Sequence, residues 1–305
     1  MRKQVLLLLF VLVPLLAICQ KNKRFRWEIG FGLGASNFLG DLGGANRIGT
    51  HFVRDLEISL TRPAVAMHMR YRANRFIGFR ANLAYGIVNG NDALTEEKYR
   101  KNRNLNFKSN IIELSTVVEF YISKERPGHL YNYKRVKGWR SVDIQTYGFV
   151  GIGGFYFNPK GFGFGQWYEL RPLGTEGQLV GDPKTYSNYS LCAPIGLGFK
   201  YGLNRQWSIG FDFGLRLTMT DYIDDVSTNY YDPALIAAAQ PTPSRAALAV
   251  HFADPNLQQI PVVDGIGVTD PGNQRGNPAY NDAYMFTHVT LNYKIGRFKK
   301  THSKF

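Results

Sequence analysis

The stretch QWSIGFDFGLRLT, residues 206–218, decides the fold. Trp207, Ile209, Phe211, Phe213, Leu215 and Leu217 share one parity, while Ser208, Gly210, Asp212, Gly214 and Arg216 share the other. Side chains alternate faces along a strand, so this run predicts a strand with one apolar face and one ion-bearing face. It outlasts the ~5–6 residues of an ordinary soluble strand and meets the ~9–11 that a tilted strand needs to cross a bilayer. Directly after it, MTDYIDDVSTNYYDP (219–233) turns polar and acidic. Asp221, Asp224, Asp225 and Asp232 are expected in solvent at the base of a loop, because carboxylates are costly in lipid. The alternative for this cluster is a calcium site, since carboxylate oxygens suit a hard cation, but the spacing fits no EF-hand loop.

Seven further segments alternate in the same way: 27–37, 64–72, 76–87, 110–122, 143–157, 189–202 and 283–295. Ile29, Phe31 and Leu33 oppose Glu28 and its glycines; Met67, Met69 and Tyr71 oppose His68 and Arg70. Phe79, Leu83 and Tyr85 oppose Arg80, and Ile112, Leu114 and Val118 oppose Glu113, Ser115 and Glu119. Segment 143–157 is ambiguous in phase because glycines occupy both parities. Lys200, Asp212 and Arg216 complete a set of mid-strand charges that a barrel interior can pair while the apolar face meets lipid. Trp27, Tyr71, Tyr121, Trp207 and Tyr293 near segment ends predict aromatic girdles. In hydrocarbon every backbone polar group needs a partner, so the sheet must close. The fold class is therefore all-β, an eight-stranded antiparallel transmembrane outer-membrane β-barrel with short periplasmic turns and long extracellular loops. A soluble sandwich or lipocalin-like barrel is the alternative, with its apolar face inside.

The ends agree. Arg2 and Lys3 precede the apolar run Val5–Ala17, and small residues near Cys19 predict a secretory signal peptide over 1–19, with the barrel over 20–305. A lipoprotein signal acylated at Cys19 is the alternative. The mature chain then holds one cysteine, Cys192, on the inward parity and expected as a buried inert thiol.

The connections differ in length. Residues 72–76 and 203–206 are short, whereas 38–62, 88–108, 158–188 and 219–282 are long; DPALIAAAQ and RAALAVHF within the last predict two short helices. The exception is 123–140, an extended basic turn on the short-turn side. Net charge is +14, and cations concentrate on that side: Lys124, Arg126, Lys134, Arg135, Lys137 and Arg140, with Arg297, Lys299 and Lys300 in the tail. This basic periplasmic rim suits either lipid phosphates of the outer membrane or docking of a periplasmic protein. Nucleic acid is not expected as a partner, because neither side of this membrane offers it routinely.

Three stretches carry a resemblance: TDYIDDVS (220–227), EIGFGLGASNFLGDLGG (28–44) and QRGNPAYNDAYMF (274–286). They resemble the PorG-like outer-membrane barrels of the Bacteroidota type IX secretion system. The resemblance implies a non-enzymatic outer-membrane component of the type IX protein secretion machinery, anchoring or docking a periplasmic ring of PorK- and PorN-like proteins. It implies no cofactor, metal or catalytic residue. The rival is a small barrel enzyme acting on lipid A or peptides, for which inward His68, His288, Ser115, Glu113 and Asp212 are the raw material. Such residues also suit a lumen satisfied by its own hydrogen bonds. No Walker, Rossmann or zinc pattern occurs.

Overall fold

A computed structural model describes residues 26–40, 42, 60–123, 144–181, 184–204, 206–262 and 267–296. These residues form ten strands: β1 (Trp27–Leu39), β2 (Arg62–Arg72), β3 (Ile77–Asn91), β4 (Asn106–Tyr121), β5 (Ile144–Tyr156), β6 (Pro159–Gly163), β7 (Gln166–Glu169), β8 (Tyr189–Gly202), β9 (Trp207–Thr218) and β10 (Ala283–Ile295). Eight of them close into a barrel in the order β1-β2-β3-β4-β5-β8-β9-β10, every pair antiparallel, with β10 returning to β1 from Trp27↔Ile295 to Leu39↔Ala283. The chain is an eight-stranded transmembrane barrel of the outer-membrane type. The predicted signal peptide, the basic turn 124–140 and the tail cations Arg297, Lys299 and Lys300 lie outside the described residues.

Exposure decides which face meets lipid. Phe31 is 52% exposed, Leu33 58%, Leu114 65% and Ile152 74%, whereas the neighbouring Glu113 and Glu119 are 0% exposed. Water would impose the reverse pattern, so the wall is built for hydrocarbon. The phase left open in 143–157 is resolved by packing: Gln145, Tyr147, Phe149 and Phe155 turn inward, and Ile144, Val150 and Ile152 outward. A β-carbon on Gly151 would collide with the Thr116 carbonyl, so β5 runs closely against β4 there.

The two short turns share one device. The Asn74 carboxamide oxygen accepts from the backbone of Phe76 at 2.7 Å and of Ile77 at 2.8 Å. Asn204 does the same for Gln206 and Trp207, both at 2.8 Å. Asparagine stands in for a backbone acceptor and reverses the chain in few residues. At this end Trp27 meets Tyr71 at 4.8 Å between ring centroids and Trp207 meets Tyr293 at 4.9 Å, which forms the expected girdle. Tyr121 is a correction. It faces the lumen, 4% exposed, hydrogen-bonded to Glu119 beneath the Arg72 guanidinium. It shares parity with Glu119, so alternation overrides its position near the strand end.

At the opposite end the loops fold into a head. The β3–β4 connection carries helix α1 (Lys98–Arg103), capped by the Glu97 carboxylate, which accepts from the backbone of Tyr99 and Arg100. The β5–β8 connection carries the β6–β7 hairpin, which continues the wall above β5 by pairing Lys108↔Lys160 with β4. The β9–β10 connection carries both expected helices, α2 (Pro233–Ala238) and α3 (Pro243–Ala253), each with Pro in its first turn and an Asp232 or Thr242 cap. Phe107, Phe157, Leu170, Ile223, Val226, Ile236 and Phe252 belong to one apolar core spanning barrel top and head.

Candidate functional site

The lumen is the largest chemical feature of the barrel. Glu28, Arg70, Arg80, Glu119, Lys200 and Asp212, all nearly inaccessible, come from β1, β2, β3, β4, β8 and β9. Arg70 holds Glu28 by a hydrogen bond, sits 2.7 Å from Glu119 as an ion pair, and donates to the Tyr147 hydroxyl at 3.0 Å. Arg80 lies 3.1 Å from the other Glu119 oxygen and donates to Asp212 at 2.8 Å. Lys200 donates to Glu28 at 2.8 Å, and Tyr147 to Asp212 at 2.5 Å. Three cations therefore meet three anions in one continuous chain across the barrel. Burying ions is tolerable only when they are paired in this way.

A second knot lies nearer the head. Arg216 donates to Glu113 at 3.0 Å, joined by the hydroxyls of Ser115 at 2.7 Å and Tyr284 at 3.0 Å. Cys192, buried as expected, lies with its sulfur 3.7 Å from the Tyr284 hydroxyl oxygen. Phe149 stacks under Arg80 and Phe286 under Arg216, each 4.8 Å from guanidinium to ring. Aromatic rings thus fill the volume the ion pairs leave.

The residues that could have formed a catalytic relay are all inward, and the fold gives His68, Ser115, Glu113 and Asp212 partners within the lumen. Ser115 donates to Glu113, Asp212 accepts from Arg80 and Tyr147, and His68 bonds Asn292 at 2.9 Å. A hydroxyl nucleophile needs an adjacent free base, and the Glu113 carboxylate beside Ser115 also holds the Arg216 guanidinium.

The acidic stretch is a second correction. Asp224 is 1% exposed and Asp225 0%, so neither stands in solvent. Asp224 accepts from the backbone of Leu42 at 3.2 Å and of Val226 at 3.0 Å. Asp225 accepts from the hydroxyls of Thr175 and Tyr186, both at 2.5 Å. Burial pushes its carboxyl up to about 6, against the opposing pull of Arg275 and the two hydroxyls. Asp221 is buried too, and of the four only Asp232 is exposed, as the cap of α2. A calcium site needs several carboxylates converging on one point. Among the described residues no group of three or more His, Cys, Asp or Glu side chains is placed to hold a metal.

The same stretches that carried the resemblance converge here. Leu42 touches Asp224, Ile223 donates its backbone to Asp282 at 2.9 Å, and Arg275 donates to the Asp225 carbonyl at 2.7 Å. Arg275 also holds Glu176 at 2.8 Å, whose carboxylate in turn accepts from the backbone of Ser227 and Thr228. Segments far apart in the chain are joined by side chain-to-backbone bonds, which periodicity cannot foresee. The local sign of this convergence is the density of Asp in 220–232 and of Asp, Asn and Gly in 270–282.

Of the predicted docking rim, every one of the nine cations lies outside the described residues. The described part of the short-turn end carries Arg26, Arg72, Arg75 and Lys294. Arg26 donates to the Tyr71 hydroxyl at 3.1 Å, and Arg75 lies over the Phe76 ring at 4.3 Å.

Residues 3–134 match a domain of unknown function (DUF6089). No curated protein matches the chain. Among solved structures, Neisserial surface protein A (NspA) is 8% identical, with 90% of this chain and 100% of that one covered and a TM-score of 0.37. The attachment invasion locus protein Ail of Yersinia pestis, in complex with the heparin analogue sucrose octasulfate, is 9% identical, with 88% and 97% covered and a TM-score of 0.35. OprG of Pseudomonas aeruginosa is 11% identical, with 90% and 98% covered and a TM-score of 0.33.

Proposed function

We propose that this chain is a non-enzymatic outer-membrane component of the type IX protein secretion machinery, which anchors or docks a periplasmic ring of PorK- and PorN-like proteins. The observation that carries the reading is the division of labour in the barrel. Its wall is apolar outside, and its interior is occupied by neutralising ion pairs. A lumen so filled has little room for a channel, and its charged groups are paired with one another, which leaves the two ends as working surfaces. The short-turn end bears Arg26, Arg72, Arg75 and Lys294, and the adjoining sequence adds the cations of 124–140 and 297–300. Clustered cations on one rim favour an acidic protein partner and steer its approach. The resemblance of the three converging stretches supplies the identity of that partner.

The test is affinity capture of the tagged barrel from detergent-solubilised outer membrane. Recovery of the ring proteins with the native chain, and their loss when Lys124, Arg126, Lys134, Arg135, Lys137 and Arg140 become Gln, is the expected result. Capture that survives those substitutions would place the docking surface away from the rim. Hydrolysis of lipid A or peptide that vanishes in His68→Ala, with no ring protein recovered, would make the chain an enzyme instead.

A further inference from the structure

Above the membrane the wall does not stop. The lipid-facing parity of β4 is uncharged and mostly apolar up to Ile112, Thr116 being its one hydroxyl, then becomes Asn110, Lys108 and Asn106. Lys108 lies four residues beyond Ile112, which at ~3.3 Å per residue and a tilt of ~40° is about 10 Å further out. That height is the headgroup layer rather than hydrocarbon. Here β6 replaces β5 as the neighbour of β4, with β7 paired to its far side, and the outward face of the hairpin carries Phe162 and Trp167 as a cross-strand pair with ring centroids 5.4 Å apart. Phe162 is 47% exposed, Trp167 45% and the turn residue Phe164 68%. Lys108 lies 5.6 Å over the Trp167 ring, and Lys160 sits 3.3 Å from Glu169.

The hairpin is packed on the head behind this face. Its inner face packs on α3, with Tyr168 against Phe252 at 5.7 Å and no room for a β-carbon at Gly161. Its turn places Phe164 at φ 49° ahead of Gly165 at φ 81°, a left-handed pair in which an aromatic residue is strained. Asn would fit that backbone with less strain, yet a largely exposed aromatic ring stands there, 4.7 Å from the His251 ring of α3.

We propose that the outer face of the β6–β7 hairpin, with Lys108 of β4, binds the phosphorylated sugar headgroup of an outer-leaflet glycolipid. Lys108 and Lys160 supply the charge for phosphate, and Phe162 and Trp167 supply flat faces on which sugar rings stack. Continuity with the lipid-facing wall commits the site to a lipid: the acyl chains descend along Ile112, Leu114 and the exposed Leu191 and Tyr189 side of the barrel. Glu169 moderates the site, because its carboxylate competes with phosphate for Lys160. The inference rests on the barrel spanning the outer membrane with its long loops outside, and not on ring docking.

The experiment measures binding of diphosphoryl lipid A and of phosphatidylglycerol to the detergent-purified mature barrel by native mass spectrometry. The native chain is expected to bind lipid A at least about tenfold more tightly than phosphatidylglycerol, and Lys108→Gln with Lys160→Gln to lose about tenfold or more, as removal of two headgroup cations implies. Trp167→Ala weakens binding as well, while Glu169→Gln tightens it. Each variant must keep the heat-dependent gel mobility that marks a folded barrel. A folded barrel with equal affinity for the two lipids, or with lipid A affinity untouched by the lysine and Glu169 substitutions, overturns the site. A mature chain that folds in water without detergent overturns the membrane reading and the site with it.

Discussion

Arg70 is the residue on which the lumen turns, since it contacts Glu28, Glu119 and Tyr147 together. Arg70→Met keeps much of the volume but takes one of two cations from each of two buried carboxylates, leaving Glu28 with Lys200 and Glu119 with Arg80. The expected loss is about 3–5 kcal/mol, the range for a buried pair broken on one side. A urea titration of the detergent-refolded barrel checks it; a midpoint unchanged from the native chain would mean the network carries no net stability. Asp225 gives the second prediction at this scale. Its folded carboxyl titrates near 6, above the ordinary 3.8, so the folded head binds the proton more tightly than the unfolded chain does. Stability of the head therefore rises as pH falls from about 6 towards about 4, on the order of 3 kcal/mol between the limits, and is flat outside that window. Asp225→Asn removes this dependence. Urea midpoints of the head's tyrosine circular dichroism at pH 7 and pH 5, compared between native and variant chains, decide the matter. The inward placement of Arg70 and the acidic character of 221–225 were legible in the sequence, but their partners were not. Parity reports a direction, whereas Glu28, Arg70 and Glu119 meet across a barrel whose register no single segment contains.

Strands were the most readable elements, because apolar residues at every second position over ten or more residues match the period of a strand and not that of a helix. The exceptions have particular causes. In β5 the glycines at 148, 151, 153 and 154 erase the contrast between faces, and only the filling of the lumen by Tyr147 and Phe149 assigns them. Met285 carries the lipid-facing parity yet is 3% exposed, and Asn37 opposite it at 5% and Leu39 at 8% are buried likewise at the same end of the wall. Close strand approach gives a prediction at this scale. A β-carbon on Gly34 would collide with the Thr287 carbonyl, and backbone cannot swing aside as a side chain does. Gly34→Ala is expected to spoil the β1–β10 seam and to leave most of the chain without the heat-dependent gel mobility of a closed barrel. The β6–β7 turn offers the opposite sign. Phe164→Asn relieves the left-handed strain and should raise the thermal stability of the head by up to ~1 kcal/mol. A fall instead would show that the Phe164 contact with His251, at 4.7 Å, outweighs the strain.

For the molecule as a whole, the decisive property is closure around a filled interior. An eight-stranded barrel has room for side chains and little else, and here ion pairs and rings take that room. Reconstituted into planar bilayers, the protein is expected to show no stepwise conductance of the porin kind. Steady open steps in the native chain would contradict the packed lumen. The head is the other whole-molecule feature, and it was poorly legible. Loops have no periodicity to read, and polar composition pointed to solvent where the fold instead buries Asp224, Asp225 and Glu176 under backbone donors and Arg275.

Alternation alone determined that this chain builds a closed barrel with lipid outside and charge within, because a period of two assigns every strand residue a face without reference to its neighbours. The length asymmetry of the loops likewise determined which end is elaborate. Tertiary structure alone decided which ions pair, that Tyr121 turns inward, and that the acidic run after β9 is interior to a head. Those outcomes depend on contacts between segments as far apart in the chain as Leu42 and Asp224, 182 residues from one another. Such contacts exist only after the wall has closed and fixed the ends of the loops it carries.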